Sequence, residues 1–314
     1  MTRARRTYAG EAGFSMLELI VAVGILLVVV GTGMSSILRV VNSQQTIWNR
    51  TEMHSGVRSA TELLQQEVGQ AGRVAPLTSV TLGGAVVAGA NTVTLAAPSG
   101  NPTTVLFVGE QITVGSDINQ ETVSLTNVDT GTGQITAAFL RPHANGVPVM
   151  VAGGFSSGIV PQAVLNGSTA TVLKLFGDIN SDGNMLYIEY TCDTQGGNLY
   201  RNAMPWDTLP ANKPPLDLSL VLLRNITANP LGAACFTYQT KVVSGTSYIT
   251  DVAITLTVQT QQVDSVTKQF QKETKALLNV SPRNIFDVWQ LASMTPPLTN
   301  RIQPTPASVT ALLP

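Results

Sequence analysis

The stretch FSMLELIVAVGILLVVVGTGMSSIL, residues 14–38, decides how this chain is organised. Its twenty-five residues carry a single charge, Glu18. At a rise of 1.5 Å per residue, a helix of this length extends about 37 Å, which is enough to cross the roughly 30 Å hydrocarbon core of a bilayer. The sequence therefore predicts a transmembrane helix over residues 14–38.

The segment before this helix is basic, because Arg3, Arg5 and Arg6 outnumber Glu11. By the positive-inside rule this end stays in the cytoplasm, and the rest of the chain faces outward. The alternative is a cleavable secretory signal, whose apolar region usually has about 7–15 residues and ends at a small-residue cleavage site. The apolar run here is longer, and no such site follows it.

The helix is predicted to continue beyond the membrane as an amphipathic half over residues 39–76. Apolar residues recur there at steps of three or four on a polar background, which is typical of a helix with one buried face. They are Met53, Val57, Ala60, Leu64, Val68 and Ala71. Gly72 and the nearby Pro76 are ordinary signals for the end of a helix.

The basic leader, Gly13 and the following FSMLEL with its apolar run resemble the signal of type IV prepilins and of type II secretion pseudopilins. The resemblance implies that a prepilin peptidase removes residues 1–13 by cutting after Gly13 and that Phe14 becomes an N-methylated amino terminus. It also implies that Glu18 neutralises the terminal amine of a neighbouring subunit during filament assembly. A carboxylate in hydrocarbon is costly, so it needs such a partner; the alternative is a glutamate that snorkels to the interface.

The segment VRSATELLQQEVGQAGR, residues 57–73, narrows the resemblance to minor pilins of the PilW type and to their pseudopilin relative GspJ. The implied fold is α+β and pilin-like, with the long amino-terminal helix packed on an antiparallel, β-rich head. Many pilins have a proline in the first half of this helix, and this chain has none. Gly31 and Gly33 are expected to weaken the helix there instead, because glycine disfavours helix.

Residues 77–160 are predicted to form an inserted all-β module, because short Val, Ile, Thr and Leu runs alternate there with turn residues. We expect a small barrel or sandwich. The predicted strands are residues 92–96, 104–108, 111–114, 121–127, 134–139 and 147–151.

From Thr169 the strand pattern resumes, and residues 161–283 are predicted to be the pilin-like β head. Residues 284–314 form a proline-containing tail with TPPLT and QPTPAS, for which we expect an extended strap on the surface.

Cys192 and Cys235 both lie outside the membrane by this topology and can be oxidised in a periplasmic compartment. We expect a disulfide between them, which would close 43 residues and stabilise the fold by about 3 to 4 kcal/mol in the chain-entropy model. The alternative is two buried free thiols.

The string DINSDGNMLYIE, residues 178–189, satisfies the spacing of a calcium-binding loop. Asp178, Asn180, Asp182 and Glu189 would supply oxygen ligands for Ca²⁺. Strands are predicted on both sides of the string where an EF-hand has helices, and Asp-Gly is also a strong hairpin signal. A bare hairpin turn is therefore the alternative to the calcium site.

The composition excludes several chemistries. Charged residues make up 12% of the chain and the net charge is -1, so no global field recruits nucleic acid. Two histidines and two cysteines are too few for a zinc cluster, an iron–sulfur centre or a haem-attachment motif. We expect no enzymatic activity and no specific nucleic-acid partner.

The resemblance implies a structural subunit, a minor pilin that acts in initiation or at the tip of a type IV pilus and in adhesion. Its partners would be other major and minor pilins through the amino-terminal helix, with the prepilin peptidase acting before assembly. It would lie in the inner membrane with its head in the periplasm, and afterwards in the pilus at the cell surface. The alternatives are a type II secretion pseudopilin and a surface adhesin with a plain membrane anchor.

Overall fold

A computed structural model describes residues 13–265 and 267–312 of the chain. The predicted leader over residues 1–13 lies outside this part except for Gly13. Helix α1 spans Met16–Gln70, and its 55 residues give a rod about 80 Å long. The helix runs without interruption through Gly31 and Gly33, where the sequence predicted local weakness.

The two halves of α1 differ in what surrounds them. No described residue before Met53 is buried, whereas residues at helical spacing between Met53 and Val68 are buried against the head. The buried residues are those of the predicted stripe, but this face begins at Met53 and not at residue 39, and the helix ends at Gln70 and not at residue 76. In the described ranges, α1 alone is long and apolar enough to cross a membrane, and a signal sequence at this end would share those properties.

Most of the regular secondary structure after α1 is strand. The first six are β1 Thr81–Leu82, β2 Gly89–Ala96, β3 Gln111–Val114, β4 Glu121–Asp129, β5 Gln134–Phe139 and β6 Val149–Val151. The next five are β7 Gly154–Phe155, β8 Val172–Gly177, β9 Leu186–Asp193, β10 Asn198–Pro205 and β11 Val221–Arg224. The last five are β12 Ile226–Thr227, β13 Phe236–Val243, β14 Thr246–Gln259, β15 Lys272–Val280 and β16 Ile302–Gln303.

The first six strands form their own sheet, in the order β1-β2-β5-β4-β3-β6, with antiparallel pairing throughout. Backbone hydrogen bonds from Leu82 to Val147 (2.9 Å) and from Val149 to Val80 (2.9 Å) join the two ends of this sheet. The sheet therefore closes as a small barrel around a core of its own, which includes Ile112 and Ile135. It lies within the predicted inserted module of residues 77–160.

One predicted strand in this module is wrong. Residues 104–108 were expected to be extended, but a 3-10 helix spans Pro102–Val105. Asn101 caps that helix by accepting a hydrogen bond from the Thr103 amide (3.0 Å), and Pro102 supplies a fixed φ at its first turn.

The head contains two further sheets. Strands β8 to β11 form one in the order β11-β10-β9-β8, and β14 pairs with β12, β13 and β15 in the other. The buried face of α1 packs on both sheets, so that Leu64 and Val68 share one core with Leu175 and Ile254. The chain is thus α+β, with one long apolar amino-terminal helix and a β-rich head.

The carboxy-terminal segment is not the extended strap that its prolines predicted. It folds into α2 Arg283–Ser293 and α3 Ala307–Ala311, with β16 between them. Ile285 and Val288 are buried on one side of α2, and Val309 is buried in α3. Strand β16 pairs with β7 in parallel register, which fastens this segment to the head.

The end of α1 is held by close backbone approaches. Gly72 has a φ of +79°, and its amide donates a hydrogen bond to the Phe176 carbonyl (2.9 Å). A Cβ on Gly158 would lie 2.2 Å from the Gly72 nitrogen, so only glycine fits where the two segments cross. The buried end of the helix is therefore fixed in the head by main-chain contacts.

Candidate functional site

The predicted processing site lies at the exposed start of α1. Gly13 and Phe14 precede the helix, and 82% of Phe14 is exposed. Ser15 is the N-cap residue, and its hydroxyl oxygen accepts a hydrogen bond from the Glu18 amide (3.1 Å). The bond between Gly13 and Phe14 is therefore accessible in a non-helical segment directly before the helix.

Glu18 has a local role that the sequence argument did not include. One of its carboxylate oxygens accepts a hydrogen bond from the Ser15 amide (3.1 Å), which completes a capping box. A carboxylate in the first turn also interacts favourably with the helix dipole. A carboxylate can accept about four hydrogen bonds, so this contact leaves acceptor capacity for a further donor.

The first half of α1 presents a large apolar surface. The side chains of Leu17, Ile25, Leu27 and Val28 are each more than half exposed. Surfaces of this size on a protein mark a membrane or protein interface. The amino-terminal half of the rod is thus built to be covered by something other than the head.

An ion pair fastens the second half of the rod to the head. Glu67 on α1 is 5% exposed, and the Arg201 guanidinium on β10 donates to it with Nη2 at 2.5 Å and Nε at 3.1 Å. The Tyr190 hydroxyl on β9 also donates to Glu67. Burial alone would lower the pKa of Arg201, but the contact with Glu67 outweighs that effect and raises it.

The same contacts keep Tyr190 protonated. Burial raises the pKa of Tyr190, and the neighbouring Glu67 carboxylate raises it further. The hydroxyl therefore remains a hydrogen-bond donor over the whole physiological pH range. Tyr190 and Arg201 both donate to the Glu67 carboxylate, and this shared contact fixes the rotation of the helix against the sheet.

The predicted disulfide between Cys192 and Cys235 is present. It connects β9 to the residue before β13 and closes 43 residues of chain. Both cysteines are buried in the core that α1 also lines. The bond therefore joins the two sheets on which the helix packs.

The four predicted calcium ligands do not come together. Asp178 is fully buried, and its Oδ1 accepts hydrogen bonds from the amides of Asp182 (3.0 Å) and Gly183 (3.2 Å). Its Oδ2 lies 3.6 Å from Nε of Arg73, three residues beyond the end of α1. Asn180 and Asp182 are exposed. These contacts form a hairpin turn held by its own aspartate, which is the alternative that the sequence allowed.

The position of Glu189 distinguishes this hairpin from a metal-binding loop. Strand β9 begins at Leu186, which pairs with Gly177, the residue before Asp178. Glu189 lies three residues beyond Leu186, which is about 10 Å along the strand. In the part of the chain that the structure describes, no group of three or more His, Cys, Asp or Glu side chains is arranged to hold a metal ion. Glu189 therefore does not lie with Asp178 and Asp182 in the described structure, and the calcium site stays a prediction.

Glu189 instead belongs to a buried ion cluster. It lies 2.8 Å from Nζ of Lys213 and 3.6 Å from Nζ of Lys174, and the Tyr187 hydroxyl donates to it at 2.7 Å. Burial lowers the pKa of Lys174; Glu189 opposes this effect and Lys213 adds to it. A cavity of about 600 Å³ borders the cluster, and half of its lining residues are proline, leucine or valine. The contact with Lys213 ties the loop after β10 to the sheet.

Comparison with protein-family models, with curated proteins and with solved structures finds no match to this chain. The assignment to a pilin type therefore stays a prediction from the residues around Gly13 and from residues 57–73.

Sequence reasoning did not find the Glu67–Arg201 pair or the cluster around Glu189. Glu67 and Arg201 are separated by 134 residues, so no local spacing connects them. Lys174 and Glu189 are cross-strand neighbours in register. The available signal was a single charged residue within each of two apolar strands, LKLFG at 173–177 and LYIEY at 186–190. A charge on a strand with both faces covered needs a partner.

Proposed function

We propose that the chain is a membrane-anchored minor pilin of a type IV pilus that works by assembly. One observation carries the proposal: a single uninterrupted helix has an uncovered apolar half and a second half locked into a β-rich head. Such a rod holds the head at a fixed distance from whatever covers its apolar end. The FSMLEL segment and Gly13 supply the prepilin-like signal at that end.

In this proposal the apolar half of α1 lies first in the membrane and then among the helices of other subunits. Glu18 stands in the first turn, beside the bond that processing would cut. After cleavage, the amine of a neighbouring Phe14 would carry a positive charge. Two opposite unit charges 4 Å apart attract by about 4 kcal/mol at an effective dielectric constant of 20. Such an attraction selects the subunit register in which amine and carboxylate meet.

The head supports a position at the tip or in the initiating complex. The closed barrel of β1 to β6 adds a second core to the pilin-like head, and this bulk is hard to pack repeatedly along a shaft. A type II secretion pseudopilin would use the same helix, but that family is shorter, and the added module counts against it. Partners, pilus type and any ligand of the head belong to this proposal.

The experiment is filament incorporation of a Glu18→Ala variant in cells that assemble pili. We expect a membrane-inserted protein with its disulfide intact that is absent from sheared filaments. Because Glu18 also caps α1, Ser15→Ala serves as the matched control: it removes the hydroxyl half of the capping box and retains the carboxylate. Glu52→Ala changes an exposed glutamate elsewhere on the same helix. Both controls should enter filaments, and normal incorporation of Glu18→Ala would contradict the proposal.

A further inference from the structure

The cavity beside the buried ion cluster is built on one face of a sheet. Lys174 on β8 and Glu189 on β9 are cross-strand partners, and two residues away Val172 pairs with Thr191. Because side chains alternate along a strand, these four project from the same face. All four line the cavity, whose volume of about 600 Å³ is typical of a small-molecule pocket. The cavity therefore has the sheet as its floor and the size of a ligand site.

The two loops that complete the cavity contribute mostly leucine and proline. The segment before β8 supplies Leu165, and the segment after β10 supplies Pro210, Pro214, Pro215 and Leu216. Leu165 is 81% exposed and Leu216 is 47% exposed, so the cavity opens to solvent through an apolar rim. A proline has a fixed φ, so this wall loses little conformational freedom when a ligand binds.

The floor of the cavity carries a hydrogen-bond donor that the protein does not use fully. Lys174 is 4% exposed, and its ammonium group has three hydrogens to donate. Asn166 Oδ1 lies 2.7 Å from Nζ of Lys174 and Glu189 lies 3.6 Å from it, which accounts for two of them. The third has no acceptor among the described residues. A buried ammonium with a donor to spare favours a ligand that accepts hydrogen bonds.

The ligand that suits this floor is an anion. Glu189 already accepts a hydrogen bond from the Tyr187 hydroxyl (2.7 Å) and contacts both Lys213 (2.8 Å) and Lys174. The described lining of the cavity contains this one carboxylate and two lysines. Burial lowers the pKa of Lys174, and Glu189 offsets only part of that effect. A second carboxylate, supplied by a ligand, would stabilise the Lys174 ammonium further.

The apolar wall narrows the choice of anion. Inorganic phosphate would hold its remaining oxygens against proline and leucine, where they lose their hydrogen bonds to water. A carboxylate on an apolar body would reach Lys174 with its charge and cover the rim with the rest of the molecule.

We propose that this cavity binds a small organic acid in which one carboxylate is attached to an apolar body. The carboxylate accepts a hydrogen bond from Lys174, and the apolar body lies against the proline wall and the rim leucines, Leu165 and Leu216. The inference names a ligand for the head, which the proposed function leaves open. It does not rest on filament assembly, because every residue involved belongs to the head.

The test is equilibrium dialysis of the full chain in nonionic detergent micelles against hydrocinnamate, with protein-free micelles as the blank. We expect saturable binding. Hydrocinnamamide keeps the apolar body and loses the charge, whereas acetate keeps the carboxylate and loses the body. Each should bind about tenfold more weakly or worse, because the first loses a charge-assisted hydrogen bond and the second loses the apolar contact.

Two variants locate the binding in this cavity. Lys174→Met removes the ammonium group and leaves Glu189 in contact with Lys213. Leu165→Asp places a negative charge on the exposed rim and leaves the core unchanged. Its matched control is Leu231→Asp, because Leu231 is fully exposed and is not among the described residues of the lining. Lys174→Met and Leu165→Asp should each weaken hydrocinnamate binding by about tenfold or more, and Leu231→Asp should leave it unchanged.

Binding of hydrocinnamate that depends on its charge, on its apolar body and on Leu165 supports the site. No saturable binding up to about 10 mM, equal binding of either comparison ligand, or equal effects of Leu165→Asp and Leu231→Asp would overturn it. If Lys174→Met does not fold, Leu165→Asp decides the question. Incorporation into filaments, tested through Glu18, is a separate measurement, so failure of this site and failure of the proposed function are distinguishable.

Discussion

Replacing Glu110 with glutamine is expected to stabilise the protein at neutral pH. Glu110 precedes β3 and is 1% exposed; its Oε2 accepts a hydrogen bond from the Phe107 amide (3.2 Å), and its Oε1 has no partner among the described residues. Burial raises the pKa of this carboxyl to about 8, and the Phe107 amide only partly opposes the shift. The folded protein therefore holds a proton on Glu110 at pH 7.

The sign and size of the effect follow from the proton balance. An unfolded glutamate, with a pKa of 4.5, has lost its proton at pH 7, whereas the folded one retains it. Stability therefore falls as the pH rises from about 4.5 to about 8. A pH of 7 is about 2.5 units above the pKa of the unfolded glutamate. At 1.36 kcal/mol per unit, the retained proton therefore lowers the free energy of unfolding at pH 7 by about 3 kcal/mol. Glu110→Gln removes this cost, less whatever the buried amide loses for lack of a partner.

The assay is urea unfolding of the full chain in detergent micelles between pH 5 and pH 8, followed by tryptophan fluorescence. Trp206 reports on the region because its ring packs 5.8 Å from that of Phe107. The wild-type free energy of unfolding should fall across this range, and that of Glu110→Gln should stay nearly constant. A wild-type curve that is flat or rises, together with a Glu110→Gln variant no more stable at pH 7, would refute the reasoning.

Glu121→Gln provides a control of opposite sign. Burial alone would raise the pKa of Glu121, but the His143 ring (2.8 Å) and the amides of Leu140 and Arg141 hold it below its usual value. A lowered pKa stabilises the fold above about pH 4.5 and is lost on acidification. Glu121→Gln should therefore destabilise the protein at pH 7.

Three further predictions concern the ion pair between the helix and the head, the disulfide and the hairpin. Arg201→Met leaves Glu67 buried without its cation and should lower the free energy of unfolding by about 3 kcal/mol in urea titrations, whereas a change below about 1 kcal/mol would mean that the pair is dispensable. Replacing Cys192 and Cys235 with serine should cost about 3 to 4 kcal/mol in the same assay, and an unchanged midpoint would contradict this. Asp178→Ala removes the acceptor of two backbone amides and should lower the melting temperature equally with chelator and with millimolar calcium; a calcium-dependent wild-type melt would reinstate the metal loop.

Features with a clear period were predictable from the sequence. The step of three or four from Met53 to Ala71 placed the buried face of α1, and alternating runs placed most strands of the barrel. The disulfide followed from the predicted topology and the count of two cysteines. In each case the pattern is local, so the sequence displays it directly.

Features that depend on long-range contacts were missed or misassigned. The prolines of the tail favoured an extended segment, but Ile285, Val288 and Ala292 recur at helical spacing and α2 forms where they are buried. The calcium motif counted residues along the chain, whereas Glu189 is directed to Lys174 by strand register. A spacing rule counts residues along the chain, so it does not distinguish a loop that returns to its first ligand from a strand that extends away from it.

Mass spectrometry of sheared filaments decides whether this chain is a processed pilin subunit. The proposal predicts a mature chain that begins at Phe14 with one added methyl group, co-purifies with other pilins, and retains the Cys192–Cys235 disulfide. Cells that lack the prepilin peptidase should contain only the uncut form in the membrane. Recovery of the intact chain from Met1, a cut at another site such as after Gly33, or complete absence from filaments would contradict the proposal.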